Sequence, residues 1–280
     1  MGHAPRAAAS IVIAAHNEAD RILDCLGTAL GSALEGEFEV VVICNGCTDD
    51  TADIARGFSG VAVEETPEAS KVGALNIGDE VASAFPRLYV DADISISTTS
   101  LRTMIAALEG GELLAAGPRV CFDTSGASWL VRMYYSVWTR LGWERDTIIG
   151  GGVYGVSEVG RRRFERFPDL RAEDYWFNAQ FSPRERSRVD AAVSTVDVAP
   201  DVRRLVKRKA RVLAYNRAAD AELAGAPGRP RGRAGGLSRL ARSQPRLIPA
   251  IVIYAAIALS SDFLARRRIR KGDHDWVSDR

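Results

Sequence analysis

The chain has 280 residues, enough for one large domain or for one domain with an appendage. Hydrophobic residues at 46% exclude an intrinsically disordered chain, and four cysteines are too few for a disulfide-stabilised scaffold. The net charge of +1 hides an asymmetry, because residues 1–100 carry 5 Lys/Arg against 16 Asp/Glu, whereas residues 201–280 carry 19 against 7.

Neither the N-terminus nor the cysteines indicate a secreted or zinc-dependent protein. No apolar stretch of a secretory signal precedes the first apolar run, and Arg6 stands where a myristoylation signal needs Ser or Thr. We therefore expect the first domain to be cytoplasmic. Cys44 and Cys47 have the spacing of a redox or zinc pair, but no second pair exists and the three histidines are scattered. We interpret both as small residues at a strand end.

The first ninety residues alternate between short apolar runs and helical segments. The predicted strands are 10–15, 38–44, 61–63 and 87–90, and the predicted helices are 18–34, one opening at 48–50, and 71–84. Asn17 is expected to cap the first helix. The order β-α-β-α-β-α-β with short connections predicts an α/β fold, a mostly parallel Rossmann-like sheet flanked by helices.

Polar clusters follow each predicted strand, where parallel sheets bind their ligands. The clusters are His16-Asn17-Glu18, Asn45 to Asp50, Pro67 to Lys71, and Asp91-Ala92-Asp93. We expect all four to converge on one edge of the sheet.

Asp91 and Asp93 leave the end of a buried apolar run, where carboxylates are rare unless they are paired or bind a metal. Two carboxylates one residue apart can share a hard divalent cation that completes its shell with substrate phosphate oxygens. We predict a divalent-cation site on Asp93, with Asp91 binding the metal directly or through a nucleotide hydroxyl. Such a cation would stabilise a departing diphosphate.

The same edge offers groups for a nucleotide. The loop from Ala14 through His16 to Glu18 and the loop from Asn45 to Asp49 can hold a base and ribose. Lys71, at a helix start, is expected to meet phosphate or the nucleobase; the alternative is a solvated surface lysine.

The second half supplies a candidate base. Residues 128–141 predict an aromatic-rich helix, which is either core or acceptor-binding, and Gly150-Gly151-Gly152 precedes a short strand at 153–156. Glu173 and Asp174 open a further helix, and we assign Asp174 as the general base with Glu173 as its neighbour. A simple helix cap is the alternative. A strand at 193–198 and a basic helix at 203–222 follow, with Arg208 and Arg211 as further cations for a diphosphate.

The C-terminal part is expected to be an appendage. Residues 1–224 form the predicted domain, 225–246 a Gly/Pro/Arg-rich linker, and 247–280 a hydrophobic helix with a basic tail. Because a spanning helix needs about 20 apolar residues, and Pro249 and Asp262 interrupt this one, we favour a helix lying on an anionic membrane surface. Spanning, or docking on the protein's own domain, are the alternatives. We expect a peripheral protein on the cytoplasmic face, without a nucleic-acid partner.

These motifs together resemble family 2 glycosyltransferases of the GT-A fold. The matching segments are Ile11 to Glu18 (strand and "N-E" loop), Asn45 to Thr51 ("D-G-S-T-D-x-T"), Lys71 to Asn76 ("K-x-x-A-L-N"), Asp91 to Asp93 ("D-x-D") and Glu173-Asp174 ("E-D"). The resemblance covers about residues 9–220. It implies a nucleotide-sugar donor, a divalent cation such as Mn²⁺ or Mg²⁺, an inverting mechanism of hexosyltransferase type, Asn45 and Asp49 near the nucleotide, Asp93 on the metal and Asp174 as base.

The chain departs from the family pattern at the nucleotide loops. Ala14 replaces a frequent Pro, and Cys44 and Asn45 replace two frequent Asp residues, so both UDP- and GDP-sugars stay open as donors. No Q-x-x-R-W motif follows Asp174, which favours a non-processive enzyme. The expected acceptor is lipid-linked or a cell-envelope glycan. Two alternatives are a nucleotidyltransferase, which would release pyrophosphate, and an inactive GT-A-like membrane-tethered binding module.

Overall fold

The computed structural model describes residues 7–142, 147–223, 225–228 and 235–271. Within these residues one sheet contains the strands β1 Ala9–Ala15, β2 Phe38–Asn45, β3 Val61–Thr66, β4 Arg87–Asp91, β5 Ser95–Ile96, β6 Ala115–Asp123, β7 Val153–Val156 and β8 Arg186–Asp197. The helices are α1 Ala19–Leu30, α2 Thr51–Arg56, α3 Lys71–Val81, α4 Thr98–Glu109, α5 Trp129–Trp138, α6 Glu158–Arg161, α7 Glu173–Ala179, α8 Val202–Glu222, α9 Gly236–Ser243 and α10 Ile248–Lys271.

The sheet has the strand order β3-β2-β1-β4-β7-β6-β8-β5. The first four strands run parallel, and Ile13 of β1 lies between Val42 and Val90. Strand β7 is antiparallel to both β4 and β6, and β8 is parallel to β6. This architecture confirms the expected α/β class. It also places the carboxyl ends of β4 and β6 at the same edge as the beginning of β7.

Both faces of the sheet are covered, which explains why β1 and β2 read as unbroken apolar runs. Ile11 and Ile13 belong to the core layer that includes α1, whereas Val12 belongs to the opposite layer with Leu75 of α3. Helix α3 approaches the sheet closely, because a Cβ on Gly78 would lie 2.3 Å from Val12 Cγ1. The strand ends that carry the polar clusters are therefore held on a rigid support.

A buried ionic cluster ties α3 to β4 and α6. Asp79 accepts hydrogen bonds from Arg87 Nη1 at 2.5 Å, from Arg161 Nε at 2.9 Å and from the Tyr89 hydroxyl at 2.8 Å. The side chains of Asp79 and Arg87 are each only 5% exposed. The carboxylate and both guanidinium groups thus compensate one another away from water.

The structure corrects several local predictions. Asn17 does not cap the first helix: it has a positive φ of 53°, and its Oδ1 accepts a hydrogen bond from the Thr48 backbone N–H at 2.8 Å, so it links two loops instead. The helix predicted at 18–34 is α1, which spans Ala19–Leu30, and the helix predicted at 71–84 is α3, which ends at Val81. The strand predicted at 193–198 begins earlier, at Arg186.

Helix α10 docks on α5 and α8 through one face. Its buried side chains are Ala250, Tyr254, Ile257, Ser261 and Ala265. Tyr254 stacks on Tyr134 of α5 with ring centroids 5.0 Å apart, and Asp262 pairs with Arg217 of α8 and with Arg266. The packing thus holds the helix against the rest of the protein along much of its length.

The opposite face of α10 is apolar and open to solvent. Val252, Leu259 and Phe263 are 63%, 71% and 66% exposed, and they lie on one side of the helix at helical spacing. Among the described residues, the stretch 245–271 is one helical segment with the length and hydropathy to cross a membrane. The tail predicted at 272–280 lies outside the described residues, as do 229–234 of the predicted linker.

Candidate active site

The acidic turn at the end of β4 is fixed by backbone hydrogen bonds. The Asp91 N–H donates to the carbonyl of Gly152 at 2.8 Å, and the Ile94 N–H donates to the carbonyl of Asp91 at 3.1 Å. Ala92 and Ile94 are buried, whereas Asp91 and Asp93, which alternate with them, are accessible to water. The alternation anchors the turn through its apolar residues and leaves both carboxylates in the cleft.

Lys71 bridges two parts of this cleft. Its Nζ lies 2.6 Å from Asp91 Oδ1 and 2.5 Å from Glu173 Oε1, so α3, β4 and α7 meet at one ammonium group. Burial opposes the charge on Lys71, but the Asp91 and Glu173 carboxylates outweigh burial and raise its pKa well above the usual value. Lys71 is therefore not a solvated surface lysine.

Glu173 and Asp174 occupy different environments at the start of α7. Glu173 is 6% exposed, and burial raises its pKa to about 7 although Lys71 opposes the rise. Asp174 is only half-buried, and its Oδ1 accepts a hydrogen bond from the Tyr175 N–H at 2.6 Å. Burial also raises the pKa of Asp174, against the opposing effects of Lys71 and of hydrogen bonds from Tyr175 and Gly150. Asp174 is thus the carboxylate that a substrate can reach.

Asp93 lies at the exposed tip of the acidic turn. The walls of the cleft partly desolvate its carboxyl, and repulsion from Asp91 adds to that effect, so its pKa is raised. Arg208 of α8 and Lys71 oppose the rise. Sequence reasoning gave Arg208 only a minor place; the signal that pointed to it was the run of basic residues on the helix.

The loops after β1 and β2 contact each other beside this cleft. His16 Nδ1 lies 2.6 Å from the carbonyl of Asn45, and Asn45 Nδ2 donates to the carbonyl of Ala15 at 2.8 Å. The Oδ1 of Asn45 is buried and has no hydrogen-bond partner in the described part of the chain. Ala14 pairs with Asp91 in the sheet register, which sets this loop directly next to the acidic turn.

Asp49 and Glu18 organise the same loops. Asp49 accepts hydrogen bonds from the backbone N–H groups of Ala19 at 3.1 Å and Thr51 at 3.2 Å, and the Glu18 N–H donates to Thr51 Oγ1 at 2.8 Å. The Asp49 carboxylate thus joins the starts of α1 and α2. The structure brings Lys71, Asp91, Asp93, Glu173 and Asp174 into one cleft, with Ala14, His16 and Asn45 beside them and Asp49 engaged with backbone.

The donor set fits a hard divalent cation that is shared with a substrate. In the ranges that the structure describes, no group of three or more His, Cys, Asp or Glu side chains surrounds a common point. Asp91 and Asp93 offer carboxylate oxygens, and a cation between them would relieve their mutual repulsion. Because these two carboxylates do not fill a coordination shell, the remaining ligands would be phosphate oxygens and water, as is usual for Mg²⁺ and similar ions.

Solved structures share this fold. A mannosyltransferase from Pyrobaculum calidifontis, in complex with GDP-Man and Mn²⁺, matches 96% of this chain and 88% of its own with a TM-score of 0.65 at 17% identity. Glucosyl-3-phosphoglycerate synthase from Mycobacterium tuberculosis, with Mn²⁺, UDP and phosphoglyceric acid, matches 80% of each chain with a TM-score of 0.58 at 18% identity. TarS 1–349 from S. aureus, with UDP-GlcNAc, matches 97% and 95% with a TM-score of 0.54 at 16% identity. These likenesses establish the GT-A fold.

Sequence comparison gives the family. Glycosyltransferase AglE of Haloferax volcanii is 29% identical over 120 residues, which span 40% of this chain and 39% of that protein. The family model described as "Glycosyl transferase family 2" matches residues 10–166, more than half of the 280 residues, and includes the loops after β1 and β2, Lys71 and the acidic turn. With its GT-A architecture and this match, the chain belongs to glycosyl transferase family 2.

Proposed function

We propose that the protein transfers a sugar from a nucleotide-diphosphate sugar to an acceptor hydroxyl, with inversion, with help from a divalent cation, and one sugar at a time. The observation that carries the proposal is the bridge of Lys71 between Asp91 and Glu173, because it joins a proposed metal-binding carboxylate to the neighbour of the candidate base Asp174. The bound GDP-Man and UDP-GlcNAc of two structural relatives support a nucleotide-sugar donor.

Each charged residue of the cleft is proposed to have a separate role. Asp93, assisted by Asp91, would hold Mn²⁺ or Mg²⁺, which supplies charge to stabilise the departing diphosphate. Lys71 would hold Asp91 in position, and it opposes the rise in the pKa of Glu173 that burial causes. Arg208 adds positive charge near Asp93.

Asp174 is the proposed general base. Its half-buried carboxylate accepts a hydrogen bond from the N–H of Tyr175. Its pKa is raised, and a general base is most effective when its pKa lies near the working pH. One base that removes the acceptor proton, with attack opposite to the leaving diphosphate, inverts the configuration of the transferred carbon. This is the reason for proposing inversion.

The buried Oδ1 of Asn45 is the proposed contact for the nucleobase. An acceptor atom without a partner in a buried loop is costly unless a ligand supplies a donor. An N–H group of uracil or guanine would satisfy it, so both UDP- and GDP-sugars stay in the proposal. We propose that the transferred sugar is a hexose; the contacts described above involve the nucleotide and the metal and do not select among hexoses.

We expect Asp93→Ala to abolish metal-dependent binding of the donor. In wild type, Mn²⁺ together with a UDP- or GDP-sugar at about 100 Kd should stabilise the fold by roughly 2.7 kcal/mol, whereas the variant should show little added stabilisation. The measurement is a thermal shift over a set of nucleotide sugars with and without EDTA. Asp169→Ala, an exposed carboxylate, is the control. Full Mn²⁺-dependent stabilisation of Asp93→Ala would contradict the metal assignment, and release of pyrophosphate instead of nucleoside diphosphate would indicate a nucleotidyltransferase.

We further propose that the protein works on the cytoplasmic face of a membrane, on a lipid-linked or cell-envelope acceptor. One face of α10 is packed on α5 and α8, which supports a helix lying on the surface rather than spanning it. The exposed stripe of Val252, Leu259 and Phe263 ends at a cluster of cations from Arg266 to Lys271, which suits anionic lipid. On this proposal residues 1–224 are the transferase domain, 225–246 the linker and 247–280 the membrane-binding part.

We expect the double variant Leu259→Glu/Phe263→Glu to bind vesicles of phosphatidylglycerol roughly 100-fold or more weakly than wild type. The reason is that two large apolar side chains, which would be buried in lipid, are replaced by charged ones. Cosedimentation with vesicles measures the loss. Val159→Glu, which changes an exposed apolar residue on α6, should bind as wild type does. Equal binding of the double variant and wild type would contradict the surface-helix proposal. Release of wild type by detergent alone, and not by high salt, would indicate a spanning helix.

A further inference from the structure

A cationic cavity of about 530 Å³ lies beside the cleft and takes no part in the roles assigned above. It is formed by the second half of β6, one face of α5 and the beginning of β8. Its lining residues are Arg119, Val120, Cys121, Phe122, Thr124, Arg132, Tyr135, Ser136, Thr139, Gly142 and Arg188.

The charge of the cavity is strongly one-sided. Among the lining residues that the structure describes, three are arginines and none is acidic. Asp190 partly compensates this charge from outside: its Oδ1 accepts a hydrogen bond from Arg188 Nε at 2.9 Å, and its carbonyl accepts one from Arg119 Nε at 3.5 Å. Guanidinium groups of this kind match the paired oxygens of phosphate and carboxylate.

A loop of three glycines separates the cavity from the carboxylates of the active site. A Cβ on Gly151 would lie 2.7 Å from Val120 Cγ2, which lines the cavity, and a Cβ on Gly152 would lie 3.2 Å from Asp91 Oδ2. The glycine loop therefore packs against a cavity-lining side chain at Gly151 and against the acidic turn at Gly152, and a side chain at either position would displace one of these neighbours.

Helix α8 lies beside the cavity, at the sheet edge where β6 and β8 end. Helix α8 packs on α5, and its Arg208 donates a hydrogen bond to the carbonyl of Asp197, at the end of β8, at 3.1 Å. Tyr135, which lines the cavity, lies in the same hydrophobic cluster as Leu205 of α8. The cavity and the cleft are neighbouring compartments at the same sheet edge.

We propose that this cavity binds a phosphate or carboxylate group of the acceptor, with Arg119, Arg132 and Arg188 as its cationic ligands. The inference rests on the proposed transfer function and adds to it a substrate class: the acceptor is anionic. It makes the three arginines determinants of acceptor specificity, separate from the donor site. The shared chemistry fits a phosphate on a lipid carrier as well as a phosphate on a small soluble acceptor.

Cys121 provides a test that does not depend on turnover. It is exposed and lines the cavity, whereas Cys25 and Cys44 are buried, so its alkylation by the neutral reagent iodoacetamide can be followed by peptide mass spectrometry. The full chain is incubated with farnesyl phosphate, farnesol, glycerol 3-phosphate or glycerol. We expect the phosphates to slow alkylation of Cys121 and the two alcohols to have no comparable effect. Protection by glycerol 3-phosphate indicates a soluble acceptor, and protection by farnesyl phosphate alone indicates a lipid carrier.

Charge variants make the test specific. Arg119→Gln/Arg132→Gln should need roughly 100-fold more phosphate ligand for the same protection, at about 10-fold per lost charge-assisted contact. Arg162→Gln/Arg204→Gln removes the same charge at exposed sites elsewhere and should behave as wild type. Equal protection by farnesol and farnesyl phosphate, no protection by either phosphate, or unchanged protection in the cavity variant would each overturn the proposal. Protection without any turnover of nucleotide sugars would instead overturn the transfer function and leave the anion site standing.

Discussion

Replacing Asp174 with asparagine should lower the rate of sugar transfer by roughly 10²- to 10⁴-fold, the usual contribution of a general base. Asparagine keeps the size of the side chain and an oxygen that can accept the hydrogen bond from Tyr175, so the start of α7 should be preserved. It cannot take a proton from the acceptor. Affinity for the nucleotide sugar should therefore stay within a few-fold of wild type, and single-turnover rates together with calorimetric titration would separate the two effects.

The pH profile adds a check on the same residue. A base must be deprotonated, and burial raises the pKa of Asp174, so the acidic limb of kcat/KM should lie above the range of an ordinary aspartate, about 3.9. Activity is expected to rise with pH through that limb, and the residual activity of Asp174→Asn should lack it. Asp169→Asn, at an exposed position, is the matched control. If Asp174→Asn kept both the wild-type rate and the acidic limb, Asp174 would not be the general base.

Asp79→Ala should destabilise the fold by about 3–5 kcal/mol, the cost of breaking a buried ion pair from one side. The substitution leaves the guanidinium groups of Arg87 and Arg161 without their carboxylate, and Arg87 is almost fully buried. The hydroxyl of Tyr89 also loses its acceptor. Urea unfolding, followed by circular dichroism, measures the loss in the free energy of unfolding.

A surface ion pair provides the control for this prediction. Asp53 is 80% exposed and pairs with Arg56 at 3.0 Å, so Asp53→Ala should change the free energy of unfolding by less than about 1 kcal/mol. Similar losses in Asp79→Ala and Asp53→Ala would show that the buried cluster contributes no more than an exposed pair.

The strands and site residues near the start of the chain were accessible to sequence reasoning because local patterns determine them. The apolar runs of β1, β2 and β4 are buried on both faces, and each ends in a polar cluster, so both the strands and their common edge follow from periodicity and topology. The pairing of Lys71 with both Asp91 and Glu173 did not follow, because Glu173 lies about one hundred residues further along the chain. Only packing of α7 on the sheet brings it there.

The parts that sequence reasoning missed depend on tertiary contacts. Strand β6 carries Gly117 and Pro118 in its middle, which weakens its apolar pattern, and β5 has only two residues. Asn17 has the residue type of a helix cap, but a hydrogen bond to the next loop competes for its side chain. The arginine cavity draws its three cations from β6, α5 and β8, and no spacing in the sequence relates them.

Helix α5 turns Arg132 and Ser136 toward the arginine cavity and Tyr134 toward α10. A helix with its side chains is about 10–12 Å thick. If α10 lies among lipid headgroups, as proposed, the cavity would lie within roughly one helix diameter of the bilayer, a distance that a carrier's charged head can cover while its hydrocarbon tail stays dissolved in lipid. Enzyme and carrier would then meet by lateral diffusion in two dimensions, and the product would return to the bilayer without ever crossing bulk water.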